Sequence, residues 1–148
     1  MALPYLLPVQ ELWQLHRRSY KAQQDNGAEV CGIIGCGCAR RLCFQFLRNC
    51  SPDAYSYALD PDDLEVAVLD MERRGLATLG SFHSHPVGYA EPSAGDIEKG
   101  FFRGIELVYD VCGHEVKLWR KYQRRGANLT REIPLFTIGR KFGVWRPL

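Results

Sequence analysis

Residues 82–96 read FHSHPVGYAEPSAGD, and this stretch decides how the rest of the chain is interpreted. The preceding residues 77–81 have the small and apolar character of a strand that runs into the histidines. Because side chains on a strand alternate between its two faces, His83 and His85 project to one face and Ser84 to the other. The stretch therefore predicts two imidazoles side by side at the end of a strand.

A carboxylate follows these imidazoles at a short distance along the chain. Ser93 and Asp96 have the spacing of an ordinary helix start, with the serine as N-cap and an acidic residue in the first turn. This capping role does not exclude a second one, since Asp96 can also bind a metal. Two imidazoles and a carboxylate are three of the four ligands of a tetrahedral zinc, and a water in the fourth position can become a nucleophile. The pattern predicts a metallohydrolase.

The combined motif resembles a known family. His83-Ser84-His85-Pro86, followed by Ser93-x-x-Asp96 at its fixed separation, is similar to the JAMM (MPN+) zinc metalloproteases. The resemblance runs from about Pro8 to about Tyr122 and covers most of the chain. It implies one zinc ion held by the two histidines and the aspartate.

The same resemblance assigns two further residues. The family has a glutamate on an early strand, and Glu29 opens the segment 29–35, which looks like the family's Glu-x-Cys-Gly strand. Residues 57–61, before a predicted helix, are similar to the prokaryotic members. The resemblance implies that Glu29 is the general base and that Ser93 stabilises the oxyanion. Imidazole and carboxylate also accept iron, cobalt or manganese, so the choice of metal stays open.

The order of predicted elements is mixed α/β in a single domain over residues 1–148, with a basic segment from about residue 123 whose structure is left open. It is consistent with the fold that the resemblance implies, an α-β-α layered, cytidine-deaminase-like architecture in which a curved mixed sheet is flanked by helices. Periodicity and turn residues predict three helices at 9–24, 61–74 and 93–101, and strands at 30–38, 42–47, 77–83, 105–109 and 115–122.

Global composition fits a cytoplasmic enzyme. The 148 residues suffice for one ordinary domain, and the first eight lack the basic start and long apolar stretch of a signal peptide. No apolar run approaches the ~18 residues needed to span a bilayer, so no membrane association is expected. The six cysteines form no CxxC pair or zinc-finger spacing, and we interpret them as thiols packed like small hydrophobic side chains.

Charge is concentrated at the end of the chain. Residues 114–148 carry nine Lys or Arg and two Glu, a net charge of +7, which leaves −5 for residues 1–113. Nucleic-acid binding is an alternative, but a solvated basic face is the commoner cause of such a bias. Phe142 and Trp145 are candidates for attaching this segment to the body of the protein or to another copy, and the oligomeric state stays open.

Three other polar residues compete weakly for functional roles. Glu91 lies in the loop between the histidines and Ser93, where a glutamate before proline is usually solvated. His16 falls on the apolar side of the first predicted helix, which favours a partly buried imidazole. His114 follows Gly113 between two strands and is typical of a turn.

The resemblance implies a substrate with a Gly-Gly tail, because JAMM enzymes hydrolyse the bond after the C-terminal Gly-Gly of ubiquitin-like proteins. The chain has little room for the insertions with which larger relatives grip ubiquitin, which favours a small ubiquitin-like or sulfur-carrier protein. Precursor trimming and removal from a conjugated target both remain open. The alternatives are a non-catalytic MPN scaffold module and a zinc-dependent deaminase, whose His-x-Glu and Pro-Cys-x-x-Cys signatures are absent from the sequence.

Overall fold

The computed structural model describes residues 3–99, 104–139 and 145–147. Three α-helices and nine strands follow one another in these ranges, with one short 3-10 turn at Cys38–Arg40. The order is β1 Tyr5–Pro8, α1 Val9–Asp25, β2 Cys31–Cys36, β3 Leu42–Leu47, α2 Pro61–Arg73, β4 Ala77–His85, α3 Ala94–Lys99, β5 Ile105–Asp110, β6 Glu115–Arg124, β7 Ala127–Ile133, β8 Leu135–Ile138 and β9 Trp145–Pro147.

Six of the strands form one mixed sheet in the order β3-β2-β4-β5-β6-β7. Its centre is β4, which pairs antiparallel with β2 and parallel with β5. A parallel neighbour needs a crossover connection, and here that connection is the loop after His85 together with α3. The histidines therefore lie where the chain leaves the centre of the sheet.

The two faces of this sheet are covered by different helices. On one face Leu15 of α1 joins a cluster that includes Ile34, Phe82 and Leu107. On the other face Met71 of α2 packs with Ile33 and other members of a second cluster. Because neighbouring residues of a strand point to opposite faces, His83 lies on the α2 side while Phe82 lies on the α1 side.

The predicted fold class is confirmed: the structure is a mixed α/β fold with a six-stranded mixed sheet flanked by helices. Asp60 caps α2 by accepting hydrogen bonds from the backbone N–H groups of Asp62 and Asp63, and Gly75 follows its end with a positive φ of 72°. Strand β4 continues two residues beyond its predicted end and so includes both histidines. The predicted end of the third helix, Phe101, lies outside the described residues.

The chain beyond residue 123, whose structure the sequence left open, contains three strands that were not predicted. Strand β7 forms the edge of the main sheet, and β8 lies between β1 and β9 in a separate three-stranded sheet. In this small sheet β8 pairs with Tyr5–Pro8 at the other end of the chain. Trp145 begins β9 and is paired with Ile138, whereas Phe142 lies outside the described residues.

The cysteines differ from the uniform burial that the sequence suggested. Cys31 is buried and Cys36 and Cys43 are partly buried, but Cys38, Cys50 and Cys112 are exposed, so the interpretation is wrong for these three. Cys38 lies in the 3-10 turn rather than on a strand, which explains its exposure. Within the described ranges no helix combines the length and apolar character required to cross a bilayer.

Candidate metal centre

Three side chains converge at the carboxyl end of β4. The Nε2 atoms of His83 and His85 are 2.9 Å apart, and the Oδ2 atom of Asp96 is 3.0 Å from the first and 3.2 Å from the second. All three residues are buried, with His83 fully excluded from solvent. The three residues singled out in the sequence therefore present one nitrogen or oxygen each to a common point.

The orientation of His85 is fixed by the loop that follows it. Its Nδ1 lies 2.7 Å from the carbonyl oxygen of Tyr89, so an Nδ1–H donor leaves Nε2 with a free lone pair. The indole of Trp119 on β6 donates to the carbonyl of Ala90 at 2.9 Å and attaches the same loop to the sheet. These backbone contacts hold the loop against the site without using its side chains.

Ser93 and Asp96 form two reciprocal hydrogen bonds at the start of α3. The Ser93 N–H donates to Asp96 Oδ2 at 2.8 Å, and the Asp96 N–H donates to Ser93 Oγ at 3.1 Å. The capping arrangement and the approach of Asp96 to the histidines thus coexist, as the sequence allowed. Because Ser93 Oγ acts as an acceptor in this pair and its residue is exposed, the hydroxyl keeps a proton that it can donate outward.

The donor set fits a divalent metal ion. Ligand atoms about 2.0 Å from a tetrahedral zinc lie roughly 3.3 Å from one another, close to the separations found here. Burial alone would lower the pKa of His83, but the adjacent carboxylates of Asp96 and Glu106 outweigh it and raise the pKa to about 10. Burial opposes ionisation of Asp96, yet its bonds to the two histidines hold its pKa below the ordinary value. Such a site attracts positive charge, and a metal would replace a proton on the imidazoles.

Glu29 lies beside this cluster. The next residue, Val30, forms two hydrogen bonds with Ser84, which lies between the histidines. The Val30 N–H donates to Ser84 Oγ and the Ser84 N–H donates to the Val30 carbonyl, both at 2.8 Å. The side chain of Glu29 is 5% exposed, and its buried Oε2 has no hydrogen-bond partner among the described residues. An unpartnered buried carboxylate oxygen is able to accept a proton from a water molecule or a substrate.

The pKa of Glu29 reflects the same surroundings. Burial raises it to about 7, the histidines at 83 and 85 oppose that rise, and the carboxylates of Asp96 and Glu106 reinforce it. A carboxyl group whose pKa lies near neutrality is suited to accept and return a proton at physiological pH.

Three residues to which no sequence pattern assigned a role in the site lie behind His83. Glu106 on β5 is fully buried, and its Oε1 lies 2.7 Å from His83 Nδ1. Lys121 on β6 forms an ion pair with Glu106, and the Tyr57 hydroxyl donates to it at 2.8 Å. One signal was available: Glu106 is the only charged residue within the apolar run Ile105–Tyr109.

The weaker candidates lie elsewhere or have ordinary roles. His16 Nδ1 is 2.5 Å from the Tyr109 hydroxyl and is partly buried, as predicted for an imidazole on the apolar side of its helix. His114 has a φ of 53° in the turn between β5 and β6. Glu91 is exposed in the loop and does not belong to the group of converging ligand atoms.

Residues 14–123 match the family described as prokaryotic homologs of the JAB domain, which confirms the resemblance to a small prokaryotic JAMM/MPN-type protein. The chain belongs to this family. The matched range contains all five residues of the predicted site, from Glu29 to Asp96.

Named relatives of this prokaryotic JAB protein include two desampylases. That of Pyrococcus furiosus is 31% identical over 105 residues, 70% of this chain and 74% of the relative. That of Haloferax volcanii is 31% identical over 100 residues, 66% of this chain and 70% of the relative. A probable TtuB-protein conjugate cleaving protease of Thermus thermophilus is 38% identical over 58 residues, 39% of either chain.

Solved structures support the fold of the JAB protein. A protein of Desulfitobacterium hafniense superposes with a TM-score of 0.71 at 21% identity, covering 92% of this chain and 94% of the other. A protein of Salinibacter ruber gives a TM-score of 0.59 at 22% identity, covering 86% and 88%. At these identities the likeness concerns the fold alone.

Proposed function

We propose that this JAB protein is a zinc-dependent peptidase that hydrolyses the bond after the C-terminal Gly-Gly of a small ubiquitin-like or sulfur-carrier protein. The observation that carries the proposal is the convergence of His83, His85 and Asp96 beside the buried, unpartnered carboxylate of Glu29. The names of the relatives, two desampylases and a TtuB-conjugate protease, support the substrate class. A cytoplasmic location remains a prediction from the sequence.

His83, His85 and Asp96 would hold the metal, which when bound polarises the scissile carbonyl and activates water. Glu29 would accept the proton of the attacking water and return it to the leaving amine, a task that suits its pKa of about 7. Removal of a positioned general base costs typically 10²- to 10⁴-fold in rate. The burial of Glu29 excludes competing solvent and keeps this proton between base and substrate.

Ser93 would donate its hydroxyl proton to the oxygen that becomes negative during attack. The hydroxyl is held in place by the bond that it accepts from the Asp96 N–H, so little reorganisation is needed. Glycines before the cleaved bond fit this site because side chains there would obstruct a close approach to a buried centre. Val87 and Tyr89, on the loop after the histidines, expose their side chains to solvent.

The second candidate is a non-catalytic scaffold module. Such modules usually lack part of the ligand set, whereas here all three ligand side chains, the glutamate and the serine are present. The acidic surroundings of His83 also favour a cation at the site. These observations favour the enzyme.

The test uses the full chain and ubiquitin-like proteins that carry a C-terminal extension after Gly-Gly, or an isopeptide-linked target. Intact mass spectrometry with and without a chelator reports the cleaved bond. We expect cleavage directly after Gly-Gly that a chelator abolishes and zinc restores. Zinc binding without cleavage of either substrate would favour the scaffold alternative.

A further inference from the structure

Behind the candidate metal centre lies a largely buried group of polar side chains to which the proposed mechanism gives no role. It consists of Glu106, Lys121 and Tyr57, and we refer to it as the rear network. Glu106 is the second residue of β5, in register with Ser81 of β4 on one side and Trp119 of β6 on the other. A fully buried carboxylate in the centre of a sheet costs stability unless it is paired, so its retention requires a reason.

The rear network contacts the metal ligands from two sides. Glu106 Oε1 faces the Nδ1 edge of the His83 ring, while the Nε2 edge of that ring faces Asp96 and His85. The Tyr57 ring stacks on His83 with centroids 4.5 Å apart and planes inclined by 22°. Lys121 Nζ, besides pairing with Glu106, donates to the backbone carbonyl of Asp96 at 3.3 Å.

These contacts have a specific consequence for His83. A neutral imidazole carries one proton, and an ionised carboxylate can only accept. The Glu106 oxygen 2.7 Å from Nδ1 therefore favours that proton on Nδ1. Nε2 is then left with its lone pair directed at the other two ligand atoms. The stacked Tyr57 ring restricts rotation of the imidazole about its own axis. The rear network thus selects both the tautomer and the orientation that a metal ligand needs.

We propose that Glu106 is a positioning residue for metal binding, and that Lys121 links it to Asp96. This link keeps His83 and Asp96 in a fixed position relative to each other. This inference rests on the proposed metal role of His83, because without a metal the selected tautomer has no purpose. Carboxylates placed behind a ligating histidine typically contribute 10- to 100-fold to metal affinity.

The test measures Zn²⁺ affinity of the full chain by competition with a chromophoric chelator. It also records the ¹⁵N signals of the four histidines in metal-free protein at a pH above 10, where the His83 imidazole is neutral and has a defined tautomer. The variants are Glu106→Gln and the double variant Glu106→Gln/Lys121→Met, which removes both buried charges and avoids an unpaired lysine. Glu132→Gln and Lys117→Met are matched controls, since this partly exposed pair joins the neighbouring strands β6 and β7.

We expect the double variant to fold, to bind Zn²⁺ 10- to 100-fold more weakly than the wild type, and to show the His83 proton distributed between Nδ1 and Nε2. Glu106→Asp, which keeps the acceptor, should retain the Nδ1–H signal. Both controls should match the wild type. A folded double variant with Zn²⁺ affinity within twofold of the wild type and an unchanged tautomer would overturn the inference. Failure of the wild type to bind Zn²⁺ would instead refute the proposed function.

Discussion

The two faces of β4 differ sharply although they share one backbone. On the α1 side Phe82 is buried among aromatic rings, 4.6 Å from the Phe44 centroid and 5.1 Å from that of Phe46. On the α2 side Ser81 and His83 are equally buried but are surrounded by carboxylates, a phenol and an ammonium group. The apolar face stabilises the strand. The polar face lowers that stability because it holds reactive groups away from water.

Glu29→Gln should reduce the catalytic activity at the polar face without disturbing the packing of the apolar face. Loss of the proton acceptor is expected to reduce kcat by about 10²- to 10⁴-fold, whereas zinc binding should persist because Glu29 is not one of the converging ligands. Cleavage assays combined with metal analysis measure both effects. Near-normal turnover in the substituted protein would show that another group is the base.

Ser93→Ala removes one donor from the proposed oxyanion site and one acceptor from the start of α3. We expect a loss of about 10²- to 10³-fold in kcat, in line with the removal of a single such donor elsewhere. Ser93→Thr, which keeps the hydroxyl, provides the control. If alanine and threonine variants were equally active, the serine would serve only as a cap.

Phe82→Ala probes the opposite face of the same strand. Loss of a fully buried ring should lower the free energy of unfolding by about 3–5 kcal/mol, because the cavity left behind is lined by packed side chains. Denaturant unfolding measures this change. The activity per folded molecule should fall much less than in Glu29→Gln, and an equal loss of both would mean that the two faces are not separable.

The free energy of unfolding of the metal-free protein should depend on pH through Glu29, and this effect is smaller than those of the substitutions above. The pKa of Glu29 rises from an ordinary 4.5 to about 7 on folding, so the folded state binds this proton more tightly than the unfolded chain. The resulting stabilisation is complete below pH 4.5 and is lost as pH rises through about 7. The melting temperature of the wild type should therefore fall between pH 5 and 8 more steeply than that of Glu29→Gln. Parallel profiles would contradict the raised pKa.

Much of the candidate site followed from local sequence. Alternation along β4 predicted that His83 and His85 share a face, and the cap spacing predicted the helix start that carries Asp96. The position of Glu29 came only from the family resemblance, since its approach depends on pairing between strands that lie about 50 residues apart in the chain.

The remaining features depend on pairings that a single sequence does not reveal. The sequence favours a solvated basic face for the region that contains Lys121, and only the alignment of β6 with β5 brings this residue to Glu106. The sequence pattern does not predict strand β7. Most of its residues are exposed, so it lacks the apolar alternation that identifies a half-buried strand. The small sheet joins the two ends of the chain, and no local signal could anticipate it.

The central claim is that the polar face of β4 and the start of α3 together hold one divalent cation. Metal analysis of wild type and Asp96→Ala after identical purification tests it most directly, with circular dichroism to verify folding. We predict one zinc ion per chain in the wild type and almost none in the variant. A folded Asp96→Ala protein that retained its full zinc content would contradict the account.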